Sequence, residues 1–128
     1  MRQPHLFRVK QVLLGYNHRV MDIKQLTEKM NQLVGHHGWY DPASPKAQTP
    51  RNLAISLCLE AAEVLEHFQW SDEPKDRQAF EGELADVALY LLQIASVSEI
   101  DLEEAILTKI EQNWDRVWQE DVEKGSGA

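Results

Sequence analysis

The chain of 128 residues contains one cysteine, Cys58, so no internal disulfide framework holds it together, and a single thiol suits a reducing compartment. No stretch approaches the roughly 18 apolar residues of a membrane span, and the start shows no apolar signal core with a small-residue cleavage site. A cytoplasmic protein without a membrane partner is expected. Excess positive charge is lacking as well. Thirteen Lys and Arg against 21 Asp and Glu give a net charge of −8, which disfavours a nucleic-acid partner held by its backbone. Neither G-x-x-x-x-G-K-[ST] nor G-x-G-x-x-G occurs, so phosphate binding through a P-loop or a Rossmann turn is excluded. No Ser/His/Asp or Cys/His arrangement competes, and Cys58, inside a Leu-rich run, reads as packing. His36-His37 lacks a second ligand pair and reads as loop, not as a zinc site.

A local absence says more. Residues 52–70 contain no Lys or Arg, and neither do residues 78–108, yet both stretches carry acids at regular spacing. Glu60 and Glu63 lie three apart among Leu57, Cys58, Leu59, Ala61, Ala62, Val64 and Leu65. Glu83 and Asp86 lie three apart among Leu84, Ala85, Val87, Ala88 and Leu89. Residues three apart share one face of a helix, so each pair directs its oxygens the same way. Helices so apolar around their circumference belong in the middle of a bundle.

The helical period dominates the chain. Ile23, Leu26, Met30 and Leu33 mark a first amphipathic helix over 22–34, and the polar run 36–48 with two prolines reads as a loop. Thr49 as N-cap with Pro50 at the first helical position opens a second helix that runs to about Trp70. Pro74 suits the start of a third helix ending near Ser98. Asp101 with Glu104 is a capping-box-like start for a fourth, ending near Val122. The expectation is an all-α four-helix bundle over 21–122, preceded by an N-terminal extension 1–20 and followed by a flexible tail 123–128. Within the extension, Leu6–Tyr16 suits an arm or a strand.

At about 100° per residue, Asn52, Ser56, Glu60, Glu63, Glu66, His67 and Trp70 fall in one stripe of the second helix, roughly 120° wide. In the third helix Glu83, Asp86, Tyr90 and Gln93 form a similar stripe. Both stripes could face solvent, or they could face each other across a cleft. Their narrowness and lack of cations favour the cleft, because clustered acids raise one another's proton affinity and divalent cations relieve that conflict. All-oxygen donors suit Mg²⁺ or Mn²⁺ better than zinc, and Mg²⁺ takes part of its shell from substrate phosphates. Metal-assisted hydrolysis of a phosphorylated substrate follows. Lys109, Asn113 and Arg116 share one face of the fourth helix and could hold phosphate oxygens, although an ordinary solvated face explains them equally. Trp39 and Trp70 offer rings for a nucleobase, and Tyr90 lies one turn past Asp86. Trp114 and Trp118 read as core or interface.

The combination Leu59-Glu60-Ala61-Ala62-Glu63-Val64-Leu65-Glu66, Phe68-Gln69-Trp70 and Glu83-Leu84-Ala85-Asp86-Val87 resembles the MazG-like all-α nucleoside triphosphate pyrophosphohydrolases, whose signature is E-x-x-E, a spacer, then E-x-x-D. Thr49-Pro50-Arg51-Asn52-Leu53, Tyr90, Lys109 and Asn113 make it most similar to the dCTP pyrophosphatase branch. The resemblance covers about residues 22–117. It implies Mg²⁺-dependent cleavage of a (d)NTP to (d)NMP and pyrophosphate, a house-cleaning activity. It implies Glu60, Glu63, Glu83 and Asp86 as catalytic metal ligands, with one glutamate orienting water. Trp39 and Trp70 would flank the base, Asn52 and Tyr90 would touch sugar or phosphate, and Lys109 with Asn113 would grip phosphates. Family members form homodimers or homotetramers. Branch members often carry a histidine in the first helix where this chain has Thr27, and the loop 36–48 is longer than usual. A non-catalytic helical interaction module is the alternative from another class, and a phosphoribosyl-ATP pyrophosphohydrolase the nearer one. A di-iron bundle is disfavoured, since no Glu precedes His67 by three residues.

Overall fold

The computed structural model describes residues 20–125, so residues 1–19 of the N-terminal extension, including Leu6–Tyr16, and the last three residues lie outside the described part. Helix α1 spans Ile23–His36, α2 Pro50–Glu66, α3 Arg77–Val97, α4 Leu102–Asp115 and a short α5 Gln119–Gly125. There is no strand among the described residues. Four long helices thus form the all-α architecture expected.

Local chemistry sets most boundaries. Asp22 and Gln25 close a complete capping box at the start of α1, with reciprocal bonds of 2.7 and 3.0 Å. The Thr49 side chain accepts from the Asn52 amide, and Pro50 stands at the first helical position of α2, where its missing N–H costs nothing. Asp101 caps α4 by accepting from the Glu104 amide at 3.0 Å.

Three boundaries differ from expectation. Helix α2 stops at Glu66, because the chain tightens there into bonds from the Phe68 amide to Leu65 and from the Gln69 amide to Glu66. Helix α3 opens at Arg77 behind Asp76, whose side chain accepts from the Ala79 amide, so Pro74 lies outside it. The expected fourth helix breaks at Arg116, which takes an extended conformation and sets its guanidinium 4.0 Å from the centre of the Trp118 ring. Its C-terminal part is the separate helix α5, which continues to Gly125, past the expected end of the domain.

Helix α3 is the centre of the packing. It lies along α2 and α1, whereas α4 touches α1 over a short stretch. Met30, Val34 and Leu92 are buried together, with Ile23, Trp39 and Leu102 packed against them. Leu53, 2% exposed, is the most deeply enclosed large side chain among the described residues. The α3–α4 turn places Glu99 at φ 55°, with the Ile100 amide bonded to the Ala95 carbonyl at 2.9 Å. That is the left-handed exit most helices give to glycine.

The apolar circumference of α2 is not enclosed within one chain, contrary to the expectation of a mid-bundle helix. Leu59 and Leu65 are 63% and 70% exposed, and Cys58 is exposed rather than packed. Helix α4 has no buried residue and meets the single-chain core through Leu102 at its start, while Trp114 is 82% exposed. Only α3 runs along α2, which leaves the far face of α2 open.

Candidate active site

The two acidic stripes meet where α2 and α3 run side by side. One carboxylate oxygen each from Glu60, Glu83 and Asp86 lies within 4.8 Å of the others, close enough to share one cation. The Glu63 carboxyl lies beside both Glu60 and Glu83, near enough to raise their proton affinity. Withdrawal from water, then repulsion from and hydrogen bonding to Glu63, with smaller repulsions from Asp86 and Glu83, push the Glu60 carboxyl above its ordinary value. For Glu83 the hydrogen bond to Glu63 comes first, then desolvation and the charges of Glu63 and Asp86; His67 opposes them. Its Nε2 stands 4.0 Å from Glu83 Oε1. The cluster therefore carries negative charge that the chain itself compensates poorly, and its donors are all carboxylate oxygens. Such a set fits Mg²⁺ or Mn²⁺.

A cavity of about 410 Å³ adjoins the acids between α1, α2, α3 and the 36–49 loop, within the size range of small-molecule sites. Trp39, Asn52, Asp86 and Tyr90 line it, so four of the residues singled out in the sequence share one wall system. Asn52 is held by its Nδ2, which donates to the Ala47 carbonyl at 2.9 Å. Trp39 stacks on His37 at 4.7 Å between centroids and carries the Lys46 ammonium 5.5 Å from its ring centre. Gly38 makes this corner feasible, since its φ of 70° is disfavoured for other residues.

Trp70 lies elsewhere. It is 85% exposed and borders a second cleft of about 310 Å³ with Glu63, His67, Lys75 and Glu83. Because α2 ends at Glu66, Trp70 leaves the stripe on which the helical period put it. Within one chain the two tryptophans therefore do not face each other across one cavity. Lys109 lines a shallow cleft with Asp101 and Glu104 on α4, and Asn113 is exposed on the same helix, which is not packed along α2 or α3. Thr27 donates to the Ile23 carbonyl at 2.7 Å and lines a cleft at the α3–α4 turn, not the cavity beside the acids.

Several lining residues carried no role in the sequence reading. Ser56 and Gln93 were on the polar stripes but had no partner to suggest a task; Lys46 and Gln48 sit in a loop without periodicity. Gln93 is buried, and its Nε2 donates to Gln48 Oε1 at 2.6 Å across 45 positions of sequence.

The geometry can be set beside known proteins. The model of the MazG-like family matches residues 55–127, which include all four acids. Mouse dCTP pyrophosphatase 1 is 37% identical over 76 residues, covering 52% of this chain and 45% of the relative. The human enzyme of the same name is 37% identical over 73 residues, covering 50% and 43%. The chain thus spans about half the length of the curated relatives it matches. A pyrophosphatase from Archaeoglobus fulgidus superposes with a TM-score of 0.60 at 34% identity, covering 77% of this chain and 94% of that one. A family match over more than half of the residues and a helical fold shared with a pyrophosphatase lead to one assignment: the chain belongs to the MazG-like family.

Proposed function

We propose that the protein is a Mg²⁺-dependent nucleotide pyrophosphohydrolase that converts a (d)NTP and water to (d)NMP and pyrophosphate, with a dCTP-like substrate favoured. The observation that carries this reading is the convergence of Glu60, Glu83 and Asp86 beside a cavity walled by Trp39, Asn52 and Tyr90. Similarity to the mouse and human proteins called dCTP pyrophosphatase supports the substrate class.

In this reading Glu60, Glu63, Glu83 and Asp86 hold the metal. Bound there, Mg²⁺ supplies charge neutralisation of the phosphates and a more acidic water. Asp86 belongs both to the acid cluster and to the cavity wall, so it joins the phosphate end of the site to the nucleoside end. Trp39 offers a ring face to the base, and its Lys46 neighbour adds positive charge on the cavity wall. Asn52 and Tyr90 contact sugar or phosphate. A glutamate of the cluster orients the attacking water and accepts its proton.

Lys109, Asn113 and Trp70 act on this substrate from a second copy of the chain. The exposed Leu59, Leu65, Ile110 and Trp114 are the surfaces that a homodimer or homotetramer would cover. No helix among the described residues is long and apolar enough to cross a membrane. A house-cleaning role in the cytoplasm, acting on free nucleotides and not on nucleic acid, is the setting this activity fits.

Incubation with a panel of NTPs and dNTPs plus Mg²⁺ tests the reading, with pyrophosphate and orthophosphate measured separately. Pyrophosphate is expected. No turnover of any nucleotide would overturn the enzyme reading, and orthophosphate would overturn the cleavage position.

A further inference from the structure

The cavity beside the acids has a polar floor that the metal chemistry does not use. It is a chain of side-chain amides whose orientations are fixed from one end. The Lys46 carbonyl can only accept, and Gln48 turns its Nε2 toward it at 2.7 Å. That leaves Gln48 Oε1 facing inward, and it too can only accept. Gln93 therefore presents its Nε2 there, at 2.6 Å.

On the other side Ser96, Asn31 and Tyr40 form a second bridge. Asn31 donates its Nδ2 to Ser96 Oγ at 3.0 Å, so its Oδ1 accepts the Tyr40 hydroxyl proton at 2.5 Å. The Tyr40 hydroxyl lies near Gln93, whose amide favours its ionised form. The Gln93 amide has its nitrogen engaged by Gln48. Its Oε1 accepts from no other side chain among the described residues, yet no buried side-chain oxygen or nitrogen there lacks a partner. With the residue only 4% exposed and on the cavity wall, that oxygen opens onto the cavity.

We propose that Gln93, held by Gln48, selects nucleotides whose base carries an exocyclic amine, cytosine or adenine, over those with a carbonyl at that position. The proposal rests on the nucleotide reading of this cavity. A fixed, nearly buried acceptor rewards a donor. The N4 amine of cytosine or the N6 amine of adenine supplies one, whereas uracil O4 or hypoxanthine O6 sets acceptor against acceptor and leaves both unpaired. Rotation of the Gln93 amide cannot rescue the carbonyl bases, because it would break the bond to Gln48 and set its Oε1 against Gln48 Oε1. Lys46 takes part through its backbone, so its side chain is not required for this discrimination.

The test uses two near-isosteric pairs, dCTP against dUTP and dATP against dITP, with kcat/KM measured for the wild type, Gln93→Met and Gln48→Met. The wild type should favour the amine-bearing member of each pair by on the order of 10- to 100-fold. Gln93→Met should bring that ratio close to one, the fall carried by the amine-bearing nucleotide. A wild-type ratio of one, or a ratio unchanged in Gln93→Met, overturns the proposal. Should Gln93→Met fail to fold by circular dichroism, Gln48→Met decides: it frees the amide to turn, so the ratio must drop, and an unchanged ratio overturns the proposal. Hydrolysis of none of the four nucleotides removes the nucleotide reading and this proposal with it. Equal hydrolysis of all four leaves that reading standing and overturns only the role of Gln93.

Discussion

Glu60 on α2 and Asp86 on α3 bring carboxylate oxygens within 4.8 Å of each other across the seam between the two helices, although they lie 26 positions apart in the sequence. Like charges that close are unfavourable without a cation between them. The metal-free protein is accordingly strained at this seam, and the strain has measurable consequences.

The first is a dependence of stability on pH and on Mg²⁺. Glu60 and Glu83 hold protons more tightly in the folded metal-free chain than their ordinary value of 4.5. The folded state therefore binds more protons than the unfolded one just above that value, and stability falls as pH rises through the raised range. Thermal melts in EDTA should show this decline between mildly acidic and neutral pH. Saturating Mg²⁺ should raise the melting temperature at neutral pH, and Glu60→Gln should raise the EDTA melt there while removing the response to Mg²⁺.

Trp39→Ala should weaken substrate capture. Stacking of a base on an aromatic side chain is worth about 1–3 kcal/mol, so KM should rise on the order of tenfold with kcat changed much less. Steady-state kinetics on dCTP check this. An equal fall in kcat would place Trp39 at the reacting centre instead.

The open faces of α2 and α4 predict assembly. Sedimentation equilibrium should return two or four times the 14.8 kDa chain mass. Paired Leu59→Lys and Leu65→Lys changes should shift it toward the monomer. If Lys109 and Asn113 serve a neighbouring copy's site, the monomeric form should lose hydrolysis while keeping its helical content.

Glu99 offers a stability test remote from the site. Its φ of 55° is disfavoured for a side chain with a Cβ. Glu99→Gly should stabilise the chain by roughly 0.5–1 kcal/mol, net of glycine's greater freedom when unfolded. Urea titration with unchanged slope checks it.

Local signals carried much of this structure in the sequence. Thr49-Pro50 and Asp101 mark helix starts because capping is decided within a turn. The acids at spacing three in cation-free stretches pointed to a shared site because helix geometry fixes which side chains align. What sequence could not show depends on contacts between distant segments. The Gln48–Gln93 bond joins a loop to a helix, and nothing in either stretch announces it. Trp70 was placed on the acid stripe by a periodicity that ends four residues earlier, at Glu66. Leu59 and Cys58 read as core, and Trp114 as core or interface, because apolar composition does not distinguish an interior from a surface open to a partner.

Pyrophosphate release from dCTP with Mg²⁺, measured side by side for the wild type and Glu83→Gln, tests the central claim most directly. Loss of a group that stabilises developing charge costs about 100-fold or more in rate. The account predicts one pyrophosphate per dCMP from the wild type, abolished by EDTA and reduced at least that far in a folded Glu83→Gln protein. Turnover that survives both EDTA and the substitution would contradict it.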